Sequence, residues 1–209
     1  MPLTIKQKLL LTKMLLGAIL MVPLGMLITG FFTDNLGANP VEKMTHVTGD
    51  WALRILLISL AVTPMQRLFK WRKIILYRRL LGLLAFFYAL LHFSVYLIFD
   101  QELNFADTLT DIKKRPYILL GTIALGLMIP LALTSTDRMI RRLGAKKWKK
   151  IHKSVYLVCL LAITHYWWLV KADISLPAFY LLIFSSLMVL RLNATRKSHK
   201  DAPAKMPPQ

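Results

Sequence analysis

The sequence predicts an all-α polytopic membrane protein, a bundle of six transmembrane helices with both termini cytoplasmic. Three observations carry this. Hydrophobic residues make up 56% of the 209, and mean hydropathy is +0.52. Several stretches run for about 18 residues or more with few charges, enough to cross a hydrocarbon core of about 30 Å at about 1.5 Å per residue. The cations stand in blocks between these apolar runs. A formal charge of +18 on a polar domain would point to nucleic acid. Set between apolar runs, the same charge marks cytoplasmic loops beside anionic lipid and needs no nucleic acid.

The first span runs from about Leu9 to Phe32. It lacks a small-residue cleavage site and is read as retained. An outer loop with His46 follows, and Thr48 or Asp50 is placed to cap the second span, Trp51 to Phe69. The third runs from Leu76 to Phe99. The fourth, Pro116 to Leu133, opens on a proline whose missing N–H would have no partner in a first turn. The fifth runs from His152 to Val170 and the sixth from Leu176 to Leu192. Pro23, Pro64 and Pro130 fall within or near the ends of spans, where each kinks the helix and frees a carbonyl. Residues 1–192 form one domain, and residues 193–209 a basic, proline-bearing tail expected to be mobile.

Charge sets the orientation. Arg67, Lys70, Arg72, Lys73, Arg78 and Arg79 belong on one side with Arg138, Arg141, Arg142, Lys146, Lys147, Lys149 and Lys150. The other loops carry Asp34, Glu42, Asp50, Asp100, Glu102, Asp107, Asp111 and Asp173. The basic side is cytoplasmic. The lone Cys159 excludes an internal disulfide and a thiolate metal site.

Five histidines remain to be placed. His199 is in the tail and His46 in an outer loop. His92 lies about sixteen residues into the third span and His165 about thirteen into the fifth. These two spans run in the same direction, so both rings fall in the outer half of the bilayer. His152 lies at the cytoplasmic start of the fifth span, about 20 Å away along the axis. Imidazoles on neighbouring helices at one depth are what bis-histidine ligation of a haem iron requires. The alternative is a ring that bridges two helices by hydrogen bonds. The three-ring depth pattern, with no acidic residue expected inside the spans to make a proton relay, favours haem. At about 100° per residue, His152 and His165 cannot share one stripe of a straight helix. Either the helix bulges or two cofactors approach it from different sides. Level with His152 on the third span is Arg78, whose fork suits a haem propionate but not iron. An inner site therefore has one protein ligand, an exchangeable sixth position, or a different cofactor.

The stretches RRLLGLLAFFYALLH (78–92), RPYILLG (115–121), LALTSTDRMIRRLGAKKWKKIHKSVYLV (131–158) and THYWW (164–168) resemble the MsrQ (YedZ) family. So does LGANPVEKMTHVTGDWAL (36–53), and the likeness covers most of the chain from Leu9 to Leu192. The family comprises membrane haem subunits of the bacterial MsrPQ methionine sulfoxide reductase system, within the ferric-reductase-like transmembrane group. The resemblance implies one or two haem b groups held by His92, His165 and His152, with Arg78 also at the cofactor. It further implies FMN, for which no group of residues here speaks independently. The implied role is to take electrons from the quinol pool, or from a cytoplasmic flavin reductase, across the bacterial inner membrane. They go to a periplasmic MsrP-like molybdopterin reductase, the heterodimer partner that repairs oxidised methionine. The chain itself would be an electron-transfer subunit that does not reduce methionine sulfoxide. The alternative is a stand-alone transmembrane haem reductase for ferric iron or another small acceptor.

Of the remaining residues, the five tryptophans near span ends read as an aromatic belt, with Trp148 alternatively shielding an inner cofactor. Gly82, Gly121 and Gly126 allow close helix approach or room for a macrocycle.

Overall fold

The computed structural model describes residues 3–170 and 172–200, with side chains described through residue 194. Eight α-helices follow one another: α1 (Ile5–Phe32), α2 (Pro40–Leu68), α3 (Arg78–Val95), α4 (Phe105–Lys114), α5 (Pro116–Leu133), α6 (Asp137–His152), α7 (Val155–Leu169) and α8 (Ser175–Lys200). A 3₁₀ segment, Arg72–Tyr77, leads into α3, and a π turn, Tyr96–Asp100, extends it. No strand occurs among the described residues. The expected tail from Asn193 begins as a continuation of α8, and residues 201–209 lie outside the described residues, as does the His199 side chain.

Local chemistry explains the helix starts. Thr4 and Gln7 form a capping box at α1, which satisfies two donors that would otherwise lack partners. Asn39 accepts from the Glu42 amide at 3.1 Å, with Pro40 in the first turn of α2. This corrects the expected boundary. Residues 40–50, read as an outer loop, are helical, and the cap is Asn39, not Thr48 or Asp50. Thr136 caps α6 through the Met139 amide, and Asn104 caps α4.

Among the described residues, five segments are long and apolar enough to cross a membrane: Ile5–Phe32, Pro40–Leu68, Arg72–Asp100, Pro116–Leu133 and Ser175–Ala194. The chain is therefore a multi-pass membrane protein. The expected fifth span is shorter than read: α7 has 15 residues, about 22 Å of helix. Its buried face of Val158, Cys159 and Ile163 packs in the common core. The bundle pairs α2 with α3 and α5 with α7, α8 touching α2 and α7. The 28-residue α1 buries only Leu20 and Leu27 among its described side chains. Its exposed Leu11, Met14, Leu15, Val22 and Met26 make a surface that suits acyl chains rather than water.

Polar ties hold helices together where hydrocarbon gives no hydrophobic drive between them. Tyr88, fully buried on α3, donates its hydroxyl to the Leu20 carbonyl at 2.7 Å. Pro64 in α2 has no N–H to give to the carbonyl of Leu60, four residues earlier. The guanidinium of Arg191 on α8 supplies that bond instead, Nη2 to Leu60 O at 2.7 Å, and also donates to the Tyr156 hydroxyl. Arg191→Met removes the donor and lowers stability by about 1–3 kcal/mol. Adding Pro64→Ala restores a backbone donor and returns part of the loss, measured as thermal unfolding in detergent.

Candidate functional site

His92 projects from α3 towards α2. Its Nδ1 lies 3.0 Å from the Thr45 carbonyl. His165 projects from α7 towards α5, with Nδ1 2.6 Å from the Tyr117 carbonyl. A carbonyl only accepts, so each ring carries its proton on Nδ1 and keeps the Nε2 lone pair free. The two rings face each other at 6.1 Å between centres, with an interplanar angle of 78°. With metal–nitrogen bonds of about 2 Å and the imidazole's own radius on either side, two rings gripping one metal atom stand about 6 Å apart. The observed spacing is that of an axial pair.

Two glycines permit this placement. A Cβ on Gly49 of α2 would lie 3.0 Å from both Cε1 and Nδ1 of His92, and one on Gly121 of α5 3.1 Å from Nδ1 of His165. Each ring therefore lies directly on the backbone of the neighbouring helix. Gly82, by contrast, meets only Ser59 Oγ at 4.0 Å, and Gly126 meets nothing within 4 Å.

The histidines line a cavity of about 410 Å³, within the range of cofactor sites. Its inner part is hydrocarbon: Leu53, Leu56, Leu125, Met128 and Val158. Its outer end is polar: His46, Asp50, Tyr96, Asp100, Gln101 and Arg115. A flat macrocycle that is apolar over most of its area and charged along one edge fits such a gradient. The donor set fits as well, because two neutral imidazoles oriented by backbone carbonyls are the usual axial environment of a b-type iron.

His152 and Arg78 do not line this cavity. His152 ends α6, and the chain turns through Lys153 and Ser154 before α7 begins. The angular mismatch expected between His152 and His165 therefore does not arise, because the rings sit on different helices. His152 stacks on Trp148 at 4.1 Å between centres. Its Nε2 lies 3.1 Å from Thr134 Oγ1, and Trp148 donates to the Thr134 carbonyl at 3.0 Å. Arg78 is near enough for its charge to act on His152. Thr134 and Tyr117 lie at opposite ends of α5, seventeen residues and so about 25 Å apart. The structure thus brings His92 and His165 together and holds His152, within reach of the Arg78 charge, at a second level.

Sequence reading missed two groups. Asp50 and Arg54 lie inside α2 as an ion pair at 3.1 Å, Arg54 also donating to the Tyr180 hydroxyl at 2.8 Å. An acidic residue therefore lines the cavity at the histidine level, contrary to the expectation of none. The other group is Arg115, which pairs with Asp111 of α4 at 2.9 Å. The Tyr117 hydroxyl, then Asp111, raise its pKa further.

Residues 48–163 match the family described as ferric reductase like transmembrane component. The chain is 45% identical over 184 residues to the protein-methionine-sulfoxide reductase heme-binding subunit MsrQ of Herminiimonas arsenicoxydans, which covers 87% of this chain and 84% of that protein. It is 44% identical over 182 residues to the MsrQ of Xanthomonas oryzae pv. oryzae, covering 85% and 83%. To the MsrQ of Ralstonia nicotianae it is 44% identical over 174 residues, covering 82% and 80%. No solved structure matches the chain.

The glycine contacts make a prediction. Gly49→Ala and Gly121→Ala each force the adjoining imidazole off its carbonyl. Either substitution is expected to lower cofactor occupancy at least severalfold, read as visible absorbance per mole of purified chain, whereas Gly126→Ala leaves it unchanged.

Proposed function

Because the chain belongs to the MsrQ heme-binding subunits of methionine sulfoxide reductase, within the ferric-reductase-like transmembrane family, we propose that it is a b-type cytochrome of the bacterial inner membrane. It carries electrons outward to a periplasmic molybdopterin reductase of the MsrP type, its heterodimer partner. The observation that carries this is the facing pair His92 and His165, 6.1 Å apart, each fixed by a backbone carbonyl.

Haem bound between these rings would supply a one-electron carrier within a layer that otherwise insulates. The chain's own residues do the rest. Thr45 and Tyr117 set the tautomers and leave both Nε2 lone pairs free to ligate. Leu53, Leu56, Leu125 and Met128 keep water from the inner wall. Six crossings support this reading better than five. α7 lies along α5, touching it near both ends through His165 and Tyr117 and, just before α7, His152 and Thr134, so a membrane that admits one admits the other. The basic loops then face the cytoplasm with both termini. His152, Trp148 and Arg78 mark the inner level, where electrons enter from quinol or a flavin reductase. His152 would there hold an inner haem, with Arg78 placed to meet its carboxylates.

A reductase for ferric iron or another small acceptor is the second reading, and the match to the ferric-reductase-like family favours it. Coupling to purified MsrP against ferric chelates separates the two.

The test is the reduced-minus-oxidised spectrum of the purified chain, with pyridine haemochrome and flavin release for stoichiometry. No b-type band would end the reading. His92→Ala and His165→Ala should each abolish the same haem signal, and loss of different signals would refute the pairing. His152→Ala should keep that signal but slow its reduction from the inner side by an order of magnitude or more. Unimpaired reduction would remove His152 from the path.

A further inference from the structure

The cavity has a charged end, and a cation stands in it. Among the described lining residues Arg115 is the only lysine or arginine. It precedes Pro116 as the cap of α5, with extended backbone at φ −113° and ψ 97°. Two residues on, Tyr117 offers the carbonyl that orients His165. The same turn therefore indexes both the guanidinium and the axial ring. The first amides of α5 are close by, and the positive end of that helix adds to the attraction for an anion.

The guanidinium is held by one edge. Its Nε donates to Asp111 at 2.9 Å, and Nη1 reaches the Tyr117 hydroxyl at a long 3.5 Å. Asp111 does not rely on Arg115 alone. It also accepts from the Tyr96 hydroxyl at 2.9 Å and from Gln101 at 3.5 Å. The terminal nitrogens can thus take a carboxylate while Asp111 stays satisfied. Arg78, placed by sequence position level with His152, is near enough to His152 for its charge to act there and does not line this cavity.

We infer that Arg115, braced by Asp111 of α4, is the carboxylate-binding residue of the outer cavity, so that the cofactor sits with its acidic edge outward. This rests on the reading of the cavity as a haem site. It also gives α4 a role: through Asp111 the helix braces the guanidinium at the mouth of the cavity.

The experiment uses the full chain in detergent, with its haem, and two readouts: the rate of haem transfer to apomyoglobin and the midpoint potential of the outer haem. Arg115→Gln should speed transfer about tenfold, the scale of a lost charge-assisted bond. It should also lower the potential, since removing a nearby positive charge favours the ferric state. Arg115→Lys keeps the charge and should keep the potential, with transfer in between. Asp111→Asn loosens the brace without removing the cation, and should not lower the potential. Arg79→Gln, which loses only an ion pair with Asp137 away from the cavity, should leave both readouts of the outer haem unchanged. Wild-type rate and potential in Arg115→Gln would overturn the assignment. So would Asp111→Asn lowering the potential as Arg115→Gln does, because the effect would then belong to α4 packing. A wild-type chain with no b-type band would fail the functional reading itself, before Arg115 is tested.

Discussion

Two hydrogen bonds govern this structure: His92 Nδ1–H to the Thr45 carbonyl and His165 Nδ1–H to the Tyr117 carbonyl. Each joins a side chain of one helix to the backbone of its antiparallel neighbour. Each therefore fixes a register as well as a ring. A slide of one residue in either pair, about 1.5 Å, would remove the acceptor and drive the imidazole into a neighbouring side chain instead of a glycine. In low dielectric a ring N–H without an acceptor is costly. The bonds thus hold the two rings 6.1 Å apart between centres, each with its Nε2 free of the backbone contact.

α5 and α2 act as rulers for the second level. His165 meets α5 near its start and His152 meets the residue that caps its end. On α2, His92 meets Thr45, while Ser59, fourteen residues on, donates to the carbonyl of Arg78, fourteen residues before His92. The two helix pairs thus repeat one construction at both ends. The inner end differs in chemistry: a half-buried imidazole stacked on indole, arginines nearby and a carbonyl freed by Pro64. One end thus sets two neutral imidazoles against each other, and the other gathers charge.

Much of this could be read in the chain. The fourth span ran from Pro116 to Leu133 because a proline start and an uninterrupted apolar run leave little choice. The equal depth of His92 and His165 followed from counting along two co-directional spans. Helical loops were less legible. Residues 40–50 and the segments that form α4 and α6 are too polar to register as spans, yet caps at Asn39, Asn104 and Thr136 make each a helix. The break at Lys153 and Ser154 carries no proline or glycine, so His152 was assigned to the wrong helix. Asp50 was read as a cap or loop residue and its pair with Arg54 was missed, because their helix was started too late.

The sequence by itself determined the class, the apolar lengths, the side on which the cations gather and the depth of each ring. These are properties of composition and spacing along one dimension. Only the tertiary structure decided which backbone each imidazole leans on, that Gly49 and Gly121 rather than Gly82 make room for it, and that Arg115 stands in the cavity of His92 and His165. Such facts depend on the azimuth of each helix and the neighbour it packs against. Helix rotation within a bundle is set by contacts between segments far apart in the chain, and no local periodicity encodes it.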